Sequence, residues 1–351
     1  MLRIEDLPPL QTGPAAWYGP DVSGRTDWIV QLTASDVAEI RSALDAWKAR
    51  PNQGPAPLKA ADFPLPQLAA RLQTIRSELI DGRGFILMKG MPVQQWSHAD
   101  SALAFIGLGA HLGLARSQNA KGHLLGHVRD VGLASTDPNV RIYQTHERQT
   151  FHTDSCDVVG LLCLRPARSG GDSLLVSSST LYNEMRRRRP DLAAVLFEPV
   201  PTDRRGEIPA GMKPWFEIPV LNWYQGHLTA LYQRQYVDSS QRLPEAPRLT
   251  AQQIEALDLF DALTNDPALH FSMRLDEGDM QFVHNHTMLH DRTAFEDWSD
   301  PAQRRYLLRL WLAVPGARVL PPVFAQRYGS LTIGDRGGIV VPGMQPTVEM
   351  A

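Results

Sequence analysis

Apolar residues at three- and four-residue spacing dominate the first hundred positions. Val37, Ile40, Leu44 and Trp47 share one helical face and predict an amphipathic helix. Thr33 opens it with Asp36 as capping partner, and Pro51 stops it. Leu68, Leu72, Ile75 and Leu79 predict a second helix, ended by Gly82. Ser97 with Asp100 begins a third, carrying Leu103, Phe105, Ile106 and Leu108, with Gly113 as its cap. Residues 1–30, rich in Pro, Gly and Trp without a period, read as an irregular arm, and 51–66 as a Pro-rich connection. Phe85–Met88 is a short apolar strand before the turn Gly90-Met91-Pro92.

From about residue 115 the pattern turns to strands and loops. Val140–Tyr143 reads as a strand. Val158–Leu164 is nearly all apolar, the signature of a strand buried on both faces. Gly170-Gly171-Asp172 makes a turn and Ser173–Ser177 returns as a strand. Helices follow near 180–188 and after Pro190. Trp215–Ile218, Val220–Trp223 and Leu228–Tyr232 are strand candidates around the turn Gln225-Gly226. Thr250 with Gln253 opens a helix through Leu263. His270–Leu275 and Met280–Val283 read as a hairpin, and Arg305–Ala313 as a final strand. Helices first, then strands with one helical insertion, predict an α+β fold with a strand-rich barrel or jelly roll.

Composition narrows the function more than the fold. With 351 residues, 43% hydrophobic and 21% charged, the chain suits a globular protein with a sizeable core. A formal net charge of −3 gives no electrostatic case for nucleic acid or an anionic membrane. The basic run Arg186–Arg189 fits a helix C-terminus, where cations suit the dipole. Two cysteines, Cys156 and Cys163, make no disulfide framework and read as free thiols of a reducing compartment. No signal peptide and no apolar span of membrane length is evident, so a cytoplasmic location is expected.

The candidate chemistry centres on Phe151-His152-Thr153-Asp154. In an extended strand His152 and Asp154 would point the same way. An imidazole and a carboxylate there supply two ligands to one divalent metal. A third can come from the run that carries His284, His286 and His290, which strand parity would place on one face. Two His and one carboxylate leave open positions, as in non-heme iron(II) oxygenases.

Four ordered blocks carry a resemblance. They are Phe-His-Thr-Asp at 151–154, Gly-Gly-Asp-Ser at 170–173, Asn-His-Thr-Met-Leu-His-Asp-Arg-Thr-Ala-Phe at 285–295, and Arg-Arg-Tyr-Leu-Leu-Arg-Leu-Trp-Leu at 304–312. Together they resemble the TauD/TfdA (taurine dioxygenase-like) family of iron(II)- and 2-oxoglutarate-dependent oxygenases. The likeness covers residues 80–315. It implies a double-stranded β-helix (jelly-roll) core flanked by helices, in one domain spanning 1–351: an N-terminal arm and helices over 1–80, the catalytic jelly roll with its helical insertion over 80–315, and a C-terminal tail over 316–351. It implies His152, Asp154 and His290 as Fe(II) ligands. It implies Arg305 and Ser173 at the far carboxylate of 2-oxoglutarate, with Arg309 facing substrate or co-substrate. Asp291 departs from the family, which commonly has glycine there, and Ser173 replaces a threonine.

The implied reaction converts 2-oxoglutarate and O2 to succinate and carbon dioxide while a small organic substrate is oxidised, most simply by hydroxylation. Asp154 as a ligand leaves no place for a halide and speaks against halogenation. Tyr143, Arg148, Gln118, Asn119 and Trp223 are the candidate substrate residues. The competing reading is a jelly-roll metal protein that uses the same three ligands with zinc or manganese for hydrolysis or isomerisation. No nucleic-acid or membrane partner is expected, and a homo-oligomer is compatible with the sequence.

Overall fold

The computed structural model describes residues 2–51, 58–133 and 142–350. Its strands in chain order are β1 (Ile29–Gln31), β2 (Phe85–Lys89), β3 (Leu114–Arg116), β4 (Leu125–Val128), β5 (Gln149–His152), β6 (Val158–Arg165), β7 (Ser169–Gly170) and β8 (Ser173–Ser177). They continue with β9 (Pro199–Asp203), β10 (Trp215–Pro219), β11 (Leu221–Tyr224), β12 (His227–Ala230), β13 (His270–Met273), β14 (Met280–His284), β15 (Met288–Arg292), β16 (Phe295–Glu296) and β17 (Tyr306–Ala313). The helices are α1 (Gly19–Ser23), α2 (Ala34–Lys48), α3 (Leu68–Ile80), α4 (His98–Leu112), α5 (Ser178–Arg188), α6 (Pro190–Val195), α7 (Arg234–Ser240), α8 (Ala251–Thr264) and α9 (Ala325–Tyr328).

Two sheets organise the molecule. The larger runs β1-β2-β14-β6-β17-β3, with β4 also on β17, and the smaller runs β13-β8-β15-β5. Alternation along each strand sorts side chains to two faces. Ile86 and Met88 of β2, Val158 and Leu162 of β6, and Leu308 and Leu310 of β17 join the core under α2, α3 and α4. Their neighbours Phe85, Leu87, Val159, Cys163, Leu307 and Trp311 join Leu175, Phe271 and Met288 of the smaller sheet in a second core. Leu174, Val176 and Leu289 turn the other way, onto α5, α6 and α8. The order is therefore helices, sheet, sheet, helices, a mixed α/β arrangement. The apolar runs are continuous because both faces of these strands are covered.

The predicted helices form where the caps lie. Thr33 and Asp36 make a reciprocal capping box on α2, and Thr250 and Gln253 make one on α8. Ser97 Oγ accepts from the Asp100 backbone on α4. Gly113 ends α4 in extended backbone, and what requires glycine is close approach, because a Cβ there would sit 2.5 Å from the Ala313 carbonyl oxygen. Arg186, Arg187 and Arg188 fill the last turn of α5, two of them paired with Glu184.

Several expectations fail. β13 and β14 form no hairpin: β13 pairs with β8, whereas β14 lies between β2 and β6 in the other sheet. The turn at Gly278 passes the chain between sheets, and β14 is fully buried, as a central strand must be. Ile142–Gln144 is a 3-10 turn, not a strand, and Val140 and Arg141 lie outside the described residues. β10 pairs with Pro199–Asp203, whose two prolines concealed a strand. The arm is more ordered than its composition suggested. β1 pairs in parallel with β2, and Trp17 and Trp28 bury their rings against Phe85 and Phe271.

Candidate active site

β5 and β15 pair with His152 directly opposite His290, and the two ring centroids lie 4.2 Å apart. Asp154 comes to them differently from the strand-parity expectation. β5 ends at His152, and Asp154 is placed by a turn in which its backbone N–H donates to Asn285 Oδ1 at 3.0 Å. His152 Nε2 lies 3.9 Å from Asp154 Oδ1, and His290 Nε2 lies 3.7 Å from Asp154 Oδ2. One ligand atom from each of the three falls within 4.8 Å of the others, close enough to share one ion. His284 and His286 do not share this face. The turn 285–287 separates β14 from β15 and breaks the parity. His286 Nε2 instead meets Asp157 Oδ1 at 2.9 Å, and His284 Nδ1 meets Thr287 Oγ1 at 3.0 Å.

Protonation suits a cation. His152 Nδ1 donates to the Thr150 carbonyl at 2.8 Å, which leaves the Nε2 lone pair towards Asp154. Gln149 Nε2 sits 2.9 Å from that same nitrogen. Burial, helped by His290, pulls the His152 pKa down to about 3, so the ring is neutral. Burial pushes the Asp154 carboxyl up, but Arg309 and the two imidazoles outweigh it and hold it ionised, well below the usual carboxylate range. Trp311 Nε1 donates to Asp154 Oδ2 at 2.8 Å, a positioning contact that sequence reading missed. Its signal was the period of two from Leu307 through Arg309 to Trp311.

A small cavity beside His152 and His290 is lined by Ser173, Arg292, Arg305 and Arg309. Arg305 precedes β17 instead of lying in it, and a register shift follows at Tyr306/Leu307, yet Arg305 and Arg309 still face one cavity. Arg305 is 5% exposed, and its η1 nitrogen has no hydrogen-bond partner in the structure. Burial pulls its pKa down to about 10, so it remains a cation at neutral pH. A buried guanidinium with an unused donor fits the far carboxylate of a dicarboxylate. Ser173 Oγ is near at hand, donating to Gln281 Oε1 at 3.0 Å. Arg292 is a further buried cation there, its pKa pulled down to about 9 by burial and then by Arg305. Nothing in its motif separates it from its neighbours.

A larger cavity of about 420 Å³ opens on Asp154. Gln118, Tyr143 and Arg148 line it, while Asn119 and Trp223 do not. Gln118 spans the strand edge: its Oε1 accepts from Arg309 Nε at 2.7 Å and its Nε2 donates to the Arg309 carbonyl at 2.8 Å. Tyr143 lies under the Arg309 guanidinium at 4.8 Å. Arg148 is committed to Asp291 at 2.6 Å and to Asn265 at 2.7 Å. That pairing ties the approach to β5 onto β15 through Asp291. Asn119 folds into its own turn, accepting from the Lys121 backbone. Trp223 stands 38% exposed on the β11–β12 ribbon.

Residues 48–311 match the family described as taurine catabolism dioxygenase TauD, TfdA family. FR-33289 synthase of Streptomyces rubellomurinus is 31% identical over 329 residues, covering 91% of this chain and 94% of its own. The structure of asparagine oxygenase with Fe(II), hydroxyasparagine and succinate superposes with a TM-score of 0.60 at 18% identity, over 81% of this chain and 93% of that one. The non-heme iron oxygenase OrfP with Fe and alpha-ketoglutaric acid gives a TM-score of 0.59 at 17% identity, over 81% and 93%. The chain therefore belongs to the TauD/TfdA family and is a 2-oxoglutarate-dependent non-heme iron dioxygenase.

Proposed function

We propose that this dioxygenase hydroxylates a small polar substrate, with His152, Asp154 and His290 as the iron ligands and 2-oxoglutarate held at its far carboxylate by Arg305. The observation that carries the reading is the buried Arg305 guanidinium, with a donor to spare, in the cavity that also holds His152 and His290. Bound iron with 2-oxoglutarate supplies oxygen activation and the oxidising power for a C–H bond, with succinate and carbon dioxide as coproducts. The residues supply placement. Trp311 and Arg309 hold the Asp154 carboxylate, and Thr150 fixes the His152 tautomer. Arg305, with Ser173 beside it, sets the co-substrate's direction, while the larger cavity admits substrate from the Asp154 side.

The finer fold we assign is a double-stranded β-helix, built from the two sheets that share the core around Phe85, Val159 and Leu175, within one domain over 1–351. Among the described residues no helix is long and apolar enough to cross a membrane. A zinc or manganese hydrolase would need the three ligands but would leave a buried cation at Arg305 without purpose. The test is succinate formation from 2-oxoglutarate and oxygen by the metal-free protein, reloaded with iron(II), zinc(II) or manganese(II) in turn. Iron alone should support it; succinate with no metal preference, or none with iron, would count against the reading.

A further inference from the structure

Asp154 lies in the turn 153–157 between β5 and β6, so no sheet ladder fixes its backbone. The β14–β15 connection holds one side of that turn. The Asp154 backbone N–H donates to Asn285 Oδ1 at 3.0 Å, and the Asn285 backbone N–H donates to the Asp157 carbonyl at 3.0 Å. The C-terminal tail holds the other side. The Gly338 backbone N–H donates to the Ser155 carbonyl at 2.7 Å, and Arg327 Nε donates to Ser155 Oγ at 2.7 Å. Gly337 sits at φ 75°, where a Cβ would lie 2.7 Å from that same carbonyl oxygen, so glycine is what lets the tail approach. The Gly337 carbonyl accepts from Arg116 Nε at 3.1 Å, and the Ile339 backbone N–H donates to the Ser117 carbonyl at 2.9 Å, which pins 336–339 to the end of β3. This segment lies beyond residues 48–311, so the family match assigns it no role.

Arg336 is fully buried beside this contact. Its Nε donates to Asp157 Oδ1 at 2.8 Å and its Nη2 to the Arg318 carbonyl at 2.8 Å, while Nη1 has no partner among the described residues. The same Asp157 oxygen meets His286 Nε2 at 2.9 Å, and Asp157 Oδ2 accepts from the Val314 backbone at 2.9 Å, just past β17. Burial pushes the Asp157 carboxyl up, but His286 and then Arg336 outweigh it, so it stays ionised. A buried ion pair gains little stability over apolar packing, and the unpartnered nitrogen adds to its cost. What such a pair can supply is one fixed geometry. Here that geometry joins four segments at a single carboxylate: the turn 153–157, the β14–β15 connection, the end of β17 and the tail.

We propose that Arg336 and Gly337 are positioning residues for the metal site: Arg336 through Asp157, and Gly337 through Ser155, hold the turn that aims Asp154 at His152 and His290. The proposal rests on the reading of Asp154 as a metal ligand given above, but the hold on the turn can be measured without metal. Hydrogen exchange on the metal-free protein, read on a peptide spanning 153–157, should speed up in Arg336→Met and Gly337→Ala. Leu44→Ala, in the core under α2, α3 and α4, weakens the fold away from the turn and should leave that peptide at the parental rate. Iron(II) affinity by anaerobic calorimetry should fall about tenfold or more in Arg336→Met, less in Arg336→Lys, and not in Leu44→Ala, because groups behind a ligand typically carry that much of the affinity. The visible iron–2-oxoglutarate band should shift in energy in Arg336→Met and Gly337→Ala and keep its parental position in Leu44→Ala. If Arg336→Met does not fold, Arg336→Lys and Gly337→Ala decide. Folded variants with parental exchange at 153–157, or faster exchange with parental iron affinity, would overturn the proposal. Equal effects in Leu44→Ala would overturn it too, since the tail would then contribute stability alone. A parent protein that binds no iron, with exchange still faster in the variants, would instead count against the metal-site reading and leave the hold on the turn standing.

Discussion

At His290 the ring has no hydrogen bond to Nδ1 among the described residues, so its orientation rests on β15 and on contact with His152. His290→Ala should therefore remove a ligand without disturbing an outer network. Iron binding by anaerobic titration should weaken severely and succinate formation should be lost. Retained iron binding and turnover would move the assignment elsewhere. Arg305→Ala touches no candidate ligand. Losing one side of a buried charged contact costs about 2–5 kcal/mol, so 2-oxoglutarate affinity should fall by roughly thirty-fold or more while iron still binds. If Arg309→Ala shows that loss instead, the two arginines have exchanged roles. His152, Asp154, Arg305 and Arg309 were legible because they sit in short ordered motifs. Trp311 and Arg292 lie in the same motifs but were passed over: the parity of Trp311 with Arg309 was the one signal for its contact with Asp154, and the bonds of Arg292 to the Thr145 and Glu147 carbonyls depend on the fold and leave no spacing in the chain. Arg148 was legible as a charge near the candidate ligand His152, but its partner Asp291 decides what that charge does.

Elements determine which of these side chains can meet. The turn between β7 and β8 places Gly171 at φ 74°, where a Cβ would lie 3.0 Å from Arg305 Nε. Gly171→Ala should strain the turn by about 1 kcal/mol and push the guanidinium from its position. Weaker 2-oxoglutarate binding with unchanged iron affinity is expected, and parental binding would show that Arg305 does not need this turn. Element existence was largely readable: β6, β8 and α8 lie where apolar runs and caps predicted them. Pairing was not. The runs at 270–275 and 280–283 have hairpin spacing, and only the burial of β14 between β2 and β6 shows that they belong to different sheets. The same turn logic misled the histidines, since residues 285–287 break the parity that would have placed His284 beside His290.

On the scale of the whole molecule, the ends of the chain close the structure. Trp17 and Trp28 of the arm enter the core between the sheets, and Arg336 of the tail is fully buried, its Nε 2.8 Å from Asp157 Oδ1. The arm has no periodic pattern and read as irregular from its composition, and the segment 316–351 was assigned only as a tail. Asp157 also meets His286, and burial holds the His286 and His284 pKa values below their ordinary level. Their folded-state pKa lies below the unfolded value of about 6.5, so their full contribution to stability is present above that pH. As pH falls below it the unfolded chain takes up protons that the folded chain refuses. The midpoint of denaturant unfolding should therefore drop between about pH 7.5 and about pH 5, and His284→Asn should flatten the drop. A midpoint independent of pH over that interval would contradict the burial of these rings.

On the function proposed above, His152, Asp154 and His290 present iron(II) to 2-oxoglutarate with open positions remaining. The most direct measurement is an anaerobic titration of the iron(II)-loaded protein with 2-oxoglutarate, followed by visible absorption. A weak charge-transfer band is expected that saturates at one 2-oxoglutarate per chain and is lost in His290→Ala. Stoichiometric iron with no band at saturating 2-oxoglutarate would contradict it.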